Sequence, residues 1–344
     1  MGCYHTPMAP PKRIVRRLHD VGGVAGGTER RSETGGHSES RDDRVVVPKP
    51  PSYHYDATKE PLAVVVAGTT VHVKTLDARS GRFGALPVGT VFHLPAPEPA
   101  NANPLTGPIA VIGAPAGDAL IVDVIRVEPT GNGWIGAYSL SNPLGLERID
   151  ESLGRICKVS EESVYFSRDV VLDINPMIGC LGTAVVGAPP RSNVPGRHGG
   201  NMDQPTLTAG SRVYLPTQAE GGLLYVGDVH ALQGDGELSG TGVEIAADVT
   251  LRVAFQRGLT LHWPWIETVD RLAVVTAAHE FVDARREAVD AMVAALVTAL
   301  HLRPAEALQL LSVAGRLRIG QAYGGDLELT LRLEVPRWPG LQPV

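Results

Sequence analysis

The sequence predicts a mainly β protein of α+β type, with a small helical part near its C-terminus. Three observations carry that prediction. Apolar and polar residues alternate over several segments, 39 glycines and 27 prolines punctuate a chain of 344 residues, and only one long segment shows a helical apolar stripe.

The elements follow in chain order. Residues 1–51 are polar and rich in Gly, Ser, Arg and Pro. Such a segment cannot bury enough apolar area to offset its ordering entropy, so a disordered extension is expected there. The folded domain is expected over 52–340, with order beginning near Tyr53. Leu62–Val66 reads as a strand, Gly68-Thr69-Thr70 as a turn, and Val71–Thr75 as an alternating strand. Ala119–Val127 is a further apolar run behind the turn Pro115–Asp118. Val243–Val253 is the clearest strand: Val243, Ile245, Ala247, Val249, Leu251 and Val253 share one face. The helical part spans about 280–315. Val289, Met292, Val293, Leu296, Val297 and Leu300 recur at three- and four-residue steps, and Asp283 is the expected N-cap. A shorter helix begins at Pro304 and stops at Gly315. A last strand covers Leu327–Val335.

Composition narrows the function classes. The net charge is −6, with 20% charged and 43% apolar residues, so a nucleic-acid partner is not expected. No apolar run is long enough to cross a membrane, so no membrane partner is expected either. Three scattered cysteines, Cys3, Cys157 and Cys180, do not make a disulfide framework, and a cytoplasmic setting is expected. Cys180 has no local base and reads as a small buried hydrophobe.

Chemistry concentrates in two places. The first is Gly227–Glu237, where an apolar strand enters and a long alternating strand leaves. The Gly-Asp-Gly between them predicts a hairpin. Asp228 and His230 share a strand face by period two, while Asp235 and Glu237 share another beyond the turn. A carboxylate–imidazole pair on a rigid strand suits a divalent metal, and a nearby carboxylate can act as general base. Acidic residues beside glycines are also turn formers, but four such groups within ten positions favour a site. Asp203 with Glu244 is the fallback ligand pair. The second place is Pro195–Asp203. There Gly199 and Gly200 could present oxyanion-binding N–H groups, His198 could ligate metal or shuttle a proton, and Asn201 and Asp203 could hydrogen-bond an amide. The pattern alone leaves that segment open between a ligand loop and a surface loop. Asp77, at a strand end, reads as a further ligand or as a turn cap.

In this order the segments resemble the acetamidase/formamidase family. The matching text is Asn103–Pro108, Pro115–Asp118, Asn175–Gly179, Pro195–Asp203, Gly227–Glu244, Trp263–Glu267 and Leu311–Gly315. The resemblance implies a composite fold with sandwich-like and barrel-like β parts and a small α/β piece. It implies hydrolysis of formamide, acetamide or similar short amides to the acid and ammonia. A homo-oligomer, dimer or higher, and a metal near the Asp and His motifs are also implied. One departure is Lys74, where the family commonly carries an acidic residue; it bears on activity if that position faces the site.

On that premise Asp77, Asp228 and His230 are the expected metal ligands, with His198 as a possible fourth. The expected ion is zinc, with calcium as the alternative. Glu237 would activate water and Asp235 would orient it. Gly199 and Gly200 would hold the oxyanion, with Asn201 and Asp203 on the substrate. The rivals are a non-catalytic ligand-binding β-sandwich, an amidase for a specialised amide, and a two-carboxylate glycosidase using Asp235 and Glu237.

Overall fold

The longest alternating segment forms the spine of the molecule. In the computed structural model, which describes residues 44–46, 50–95, 101–138, 149, 151–322 and 329–344, it is the strand Glu244–Gln256. Its expected inner face, Val243 through Val253, is buried throughout. One edge pairs antiparallel with Ala119–Ala137 and the other with Thr70–Thr75. Ala119–Ala137 runs well past the expected end at Val127. Pro129 and Gly131 do not stop it, because register shifts in its pairing absorb the irregular backbone.

Beside the spine lies a fully buried antiparallel block. Leu224–His230 is flanked by Met177–Thr183 on one side and Leu105–Val111 on the other, and Gly199–Asn201 extends the Met177–Thr183 edge. All residues of Met177–Thr183 and Leu224–His230 are buried. A strand covered on both faces tolerates a polar side chain only where that side chain has a partner or a task. The polar residues in this block therefore mark where to look for chemistry.

The expected tight hairpin at Gly234-Asp235-Gly236 does not form. Leu224–His230 meets Glu244–Gln256 antiparallel only at its end, through His230↔Glu244 and the backbone bonds Ala231 N–H to Val243 O and Val243 N–H to Leu232 O, and the connection beyond is irregular. The reason is competition, since Leu224–His230 already has both edges occupied. The expected N-terminal boundary also shifts. Arg44–Val46 lies inside the segment expected to be disordered, yet it adds a parallel strand beside Thr70–Thr75 with Val46 buried. Its β-branched residues supply the signal that the polar average hid. The rest of 1–43 lies outside the described residues.

The C-terminal part is a second layer. Arg271–Ala278 pairs with Leu329–Pro336, which also pairs with Arg316–Ile319. Helix α1, Phe281–Leu300, packs on it through Ala284, Ala288, Met292, Ala295 and Leu296. Burying a side chain such as Met292 contributes about 1.5–3 kcal/mol of transfer free energy. The α1 N-cap is Glu280; Asp283 stands inside the first turn, where it favours the helix dipole and pairs with Arg286 at 2.8 Å. α1 ends at His301 in the left-handed region. Helix α2, Pro304–Ala314, starts on proline, with the Glu306 carboxylate accepting from the Arg303 backbone N–H and guanidinium, and stops before Gly315. Of the expected last strand, Leu329 onward is described.

Candidate active site

The buried block and the spine meet at His230↔Glu244, and the polar groups of the fold collect there. Asp228, His230 and Glu244 form one group with ligand atoms within 4.8 Å of one another. Asp203, His230 and Glu237 form a second. All five side chains are buried. Asp203 reaches the centre because Gly179 has no side chain. A Cβ there would lie 2.6 Å from Asp203 Oδ1 and 2.8 Å from Asp228 Oδ2.

The backbone is strained at this place. Seven described non-glycine residues have left-handed φ, and four of them, Asn103, Asp203, Asp228 and Glu237, surround the cluster. Each such conformation costs on the order of 1–3 kcal/mol. Concentrating that cost on one cluster points to a role other than stability.

His230 is oriented by a neighbour that sequence reasoning passed over. Gln233 Nε2 donates to the carbonyl oxygens of Asp203 (2.8 Å) and Gly320 (3.1 Å). That fixes the amide, so Gln233 Oε1 faces His230 Nδ1 at 2.7 Å and accepts its proton. Nε2 is then directed at the carboxylates, 3.2 Å from Glu244 Oε1 and 3.7 Å from Asp228 Oδ1. A histidine held through its other nitrogen is the usual arrangement of a metal ligand.

Six polar atoms in this cluster are buried without a hydrogen-bond partner: both Asp203 oxygens, Asp228 Oδ1, His230 Nε2, Glu237 Oε2 and Glu244 Oε2. Four carboxylates around one imidazole cannot all ionise cheaply out of water. Burial raises Asp203, with Asp228 adding to it, and burial raises Glu237, with Asp203 adding to it. Burial likewise pushes Glu244 up to about 7. Burial opposes charge on His230, but Glu244 and Asp228 outweigh it and hold its pKa well above the ordinary value. A divalent cation held by one of the two groups would answer that group's deficit, and the donor set of carboxylates plus one imidazole nitrogen fits one.

A polar brace stands behind the cluster. Asn103 Nδ2 donates to Asp228 Oδ2 (2.8 Å) and Asn201 Oδ1 (3.0 Å), and Asn201 Nδ2 donates to Gln321 (2.8 Å). Cys180 is buried, as expected, but it is not an apolar filler. Its thiol donates to Asn201 Oδ1 at 2.9 Å and lies 3.6 Å from Asp228 Oδ2. Burial, then Asp228, raises its pKa, so it stays a thiol. Tyr55, fully buried with no hydrogen-bond partner for its hydroxyl, packs in the same apolar cluster as Cys180.

Several expected site residues lie outside the two groups. Asp77 belongs to neither group: its carboxylate caps a turn, accepting from the N–H groups of Arg79 and Gly81. Asp235 does not share a face with Glu237, because the segment is not a strand. Asp235 is exposed and faces Arg318 at 3.4 Å. Gly199 offers no free oxyanion donor, since its N–H donates to Gly196 O; Gly199 and Gly200 carry the chain through positive φ so that it can pair with Gly182 and Leu181. His198 stands outside both groups, its ring edge-on to Tyr55 at 4.6 Å, and burial lowers its pKa to about 4. The Lys74 departure does not reach the cluster either: Lys74 is half exposed and pairs with Asp248 at 3.0 Å on the outer face. Asn201 and Asp203, expected on the substrate, stand in the brace and in the cluster respectively.

Comparison with known proteins bears on the whole assembly. A model of the acetamidase/formamidase family matches residues 183–274, which include Asp203, Asp228, His230, Glu237 and Glu244. A putative formamidase of Schizosaccharomyces pombe is 26% identical over 43% of this chain and 50% of its own length. A formamidase of Methylophilus methylotrophus is 29% identical over 56% of this chain and 60% of its own. The chain thus spans only half to three-fifths of these two curated relatives. The crystal structure of an acetamidase from Bacillus halodurans superposes with a TM-score of 0.79 at 30% identity, covering 85% of this chain and 97% of that one.

Proposed function

This chain belongs to the acetamidase/formamidase family, and on that footing we propose that it hydrolyses a short aliphatic amide to the carboxylic acid and ammonia at the buried cluster around His230. The observation that carries the reading is the convergence of four carboxylates on one oriented imidazole, with six buried polar atoms left without partners.

Asp228, His230 and Glu244 would hold a divalent ion, since Glu244 and Asp228 lie nearest His230 Nε2. A nitrogen in the set favours zinc over calcium, which takes oxygen ligands. When bound, such an ion polarises the amide carbonyl and makes water more acidic. Asp203 and Glu237 are left as a facing pair of carboxyl groups, each raised by burial and by its neighbours, and such pairs hold a proton between them. In this reading Glu237 takes a proton from water as its oxygen bonds to the amide carbon. The same proton passes to nitrogen as the C–N bond breaks, and ammonia leaves. Asn103 holds Asp228 in place, and Gln233 holds His230.

The test is ammonia release from formamide, acetamide and longer amides, with and without chelator, on wild type and Glu237→Gln. Wild type should act on short amides and lose activity with its metal. Glu237→Gln should fall by about 100- to 10,000-fold at unchanged metal content and melting temperature. A wild type silent on every amide, or a fully active Glu237→Gln, defeats this reading.

A further inference from the structure

A second set of ionic groups lies outside the cluster. The strands Arg316–Ile319 and Leu329–Pro336 place Arg318 directly opposite Arg332. Like charges facing each other across a ladder are destabilising. Arg316, one step along the same face, sits opposite Glu334. Arg271 reaches in from the neighbouring strand, its Nε 3.7 Å from both Glu334 Oε1 and Asp270 Oδ2. These four arginines, with Asp235, Asp270 and Glu334, line an open pocket of about 410 Å³. Four guanidinium groups against three carboxylates leave one net positive charge.

Several donors of this pocket are unmet or weakly met. Arg271 Nη1 is buried without a partner, and so is the hydroxyl of Thr206, which lines the same pocket. Arg332 is almost wholly buried. Its Nη1 donates to Gln204 (2.7 Å) and its Nε to Glu334 (2.9 Å), but among the described residues its Nη2 has only Asp235 at 3.9 Å. Arg316 forms no ion pair among the described residues, and Arg318 has only a half-exposed contact with Asp235. Exposed pairs of that kind contribute little.

We propose that this pocket is a binding site for a small oxyanion of the phosphate type, carrying two or more negative charges. The unmet donors come from three strands and a loop, so they approach from several directions. A tetrahedral group with three or four acceptor oxygens meets such a set better than a flat carboxylate does. Guanidinium groups bind such oxygens with charge-assisted, often bidentate, hydrogen bonds. The volume leaves room for a phosphate bearing a small organic substituent.

The experiment is calorimetric titration of the full chain with inorganic phosphate, against chloride at matched ionic strength. Wild type should bind phosphate. Arg316→Ala/Arg318→Ala should weaken binding at least about tenfold, because two charged contacts are lost. Both side chains are exposed, so the double variant should fold; Thr206→Val, which removes one buried hydroxyl, is the second probe and should weaken binding without lowering the melting temperature. Three results overturn the proposal. One is phosphate binding no different from chloride. Another is binding that survives both variants, which would place the anion at an ion in the His230 cluster. The third is a change of oligomeric state in the double variant, which would show this face covered by a second copy of the chain.

Discussion

The His230 cluster and the arginine pocket are deficient in opposite senses. Around His230 six polar atoms, five of them carboxylate oxygens, lack partners, whereas in the pocket Arg271 Nη1 and the Thr206 hydroxyl lack them and Arg332 Nη2 is 3.9 Å from Asp235. The two regions share their connecting segments. Asp203 faces the cluster while Thr206, three residues on, lines the pocket. Glu237 is buried in the cluster while Asp235, two residues before it, is exposed toward Arg318. Burial separates them as well. A charge deficit in a fully buried site is expensive and persists only where something of opposite sign completes it. In a half-open pocket water softens the same deficit, so its effect on stability is small. The cluster is therefore the region where single substitutions should act strongly, and the pocket loop the region where they should not.

The strongest way to break the cluster without touching a charge is Gly179→Ala. Its Cβ would lie 2.6 Å from Asp203 Oδ1, 2.7 Å from the Asp228 carbonyl oxygen and 2.8 Å from Asp228 Oδ2. Two of these three atoms belong to carboxylates that must converge. Bound metal and amide turnover should both fall by about 10- to 100-fold, the range for disturbing groups that orient metal ligands. Elemental analysis and ammonia release would measure them. Full metal with full activity would show that Asp203 and Asp228 need not approach each other.

The comparison also predicts a dependence on pH. Glu244 has a folded value of about 7 against an ordinary 4.5. Between those values the metal-free folded protein keeps a proton that the unfolded chain has released. The contribution of this group to stability is therefore fully present below about pH 4.5 and is lost as pH rises through 7, about 3 kcal/mol in all. Asp203, Glu237 and His230 are all raised, so they act in the same direction. A metal ion needs the deprotonated forms, so its stabilisation should grow over the same window. Melting of chelated and zinc-supplied protein at pH 5 and pH 8 should show a gap that widens with pH. A constant gap would place the metal away from these groups.

Much of this was legible in the sequence. The alternation of Val243–Val253, the apolar stripe of α1 and the Asp228/His230 pair were all readable, because each rests on local period. The failures come where local period ends. Asp228 has left-handed φ, and after His230 the chain is irregular, so face arguments for Asp235 and Glu237 have no basis. Glu244 becomes a partner of His230 only through register, and Gln233 orients His230 only because the carbonyls of Asp203 and Gly320 fix its amide. Asn103 reaches Asp228 across 125 residues, which no spacing rule announces. Asp77 looked like a ligand because a capping carboxylate and a coordinating one are the same residue in sequence.

The smallest effect separates the two regions most cleanly. Asp235 and Glu237 are near neighbours in a Gly-Asp-Gly-Glu segment, and sequence reasoning gave both a catalytic role. The structure buries Glu237 among Asp203 and His230 and leaves Asp235 in solvent, 3.4 Å from Arg318. An exposed pair of this kind contributes roughly 0–1 kcal/mol. Asp235→Asn keeps the shape of the turn and removes only the charge, so turnover should change by less than about threefold, within the range of ordinary surface substitutions. It should also leave Arg318 and Arg332 with one fewer acceptor, and phosphate affinity in the pocket should rise. Kinetics and calorimetry on the same preparation test both halves. A loss of turnover comparable to that of Glu237→Gln, with phosphate binding unchanged, would mean that Asp235 turns inward during catalysis and that the division between the two regions is wrong.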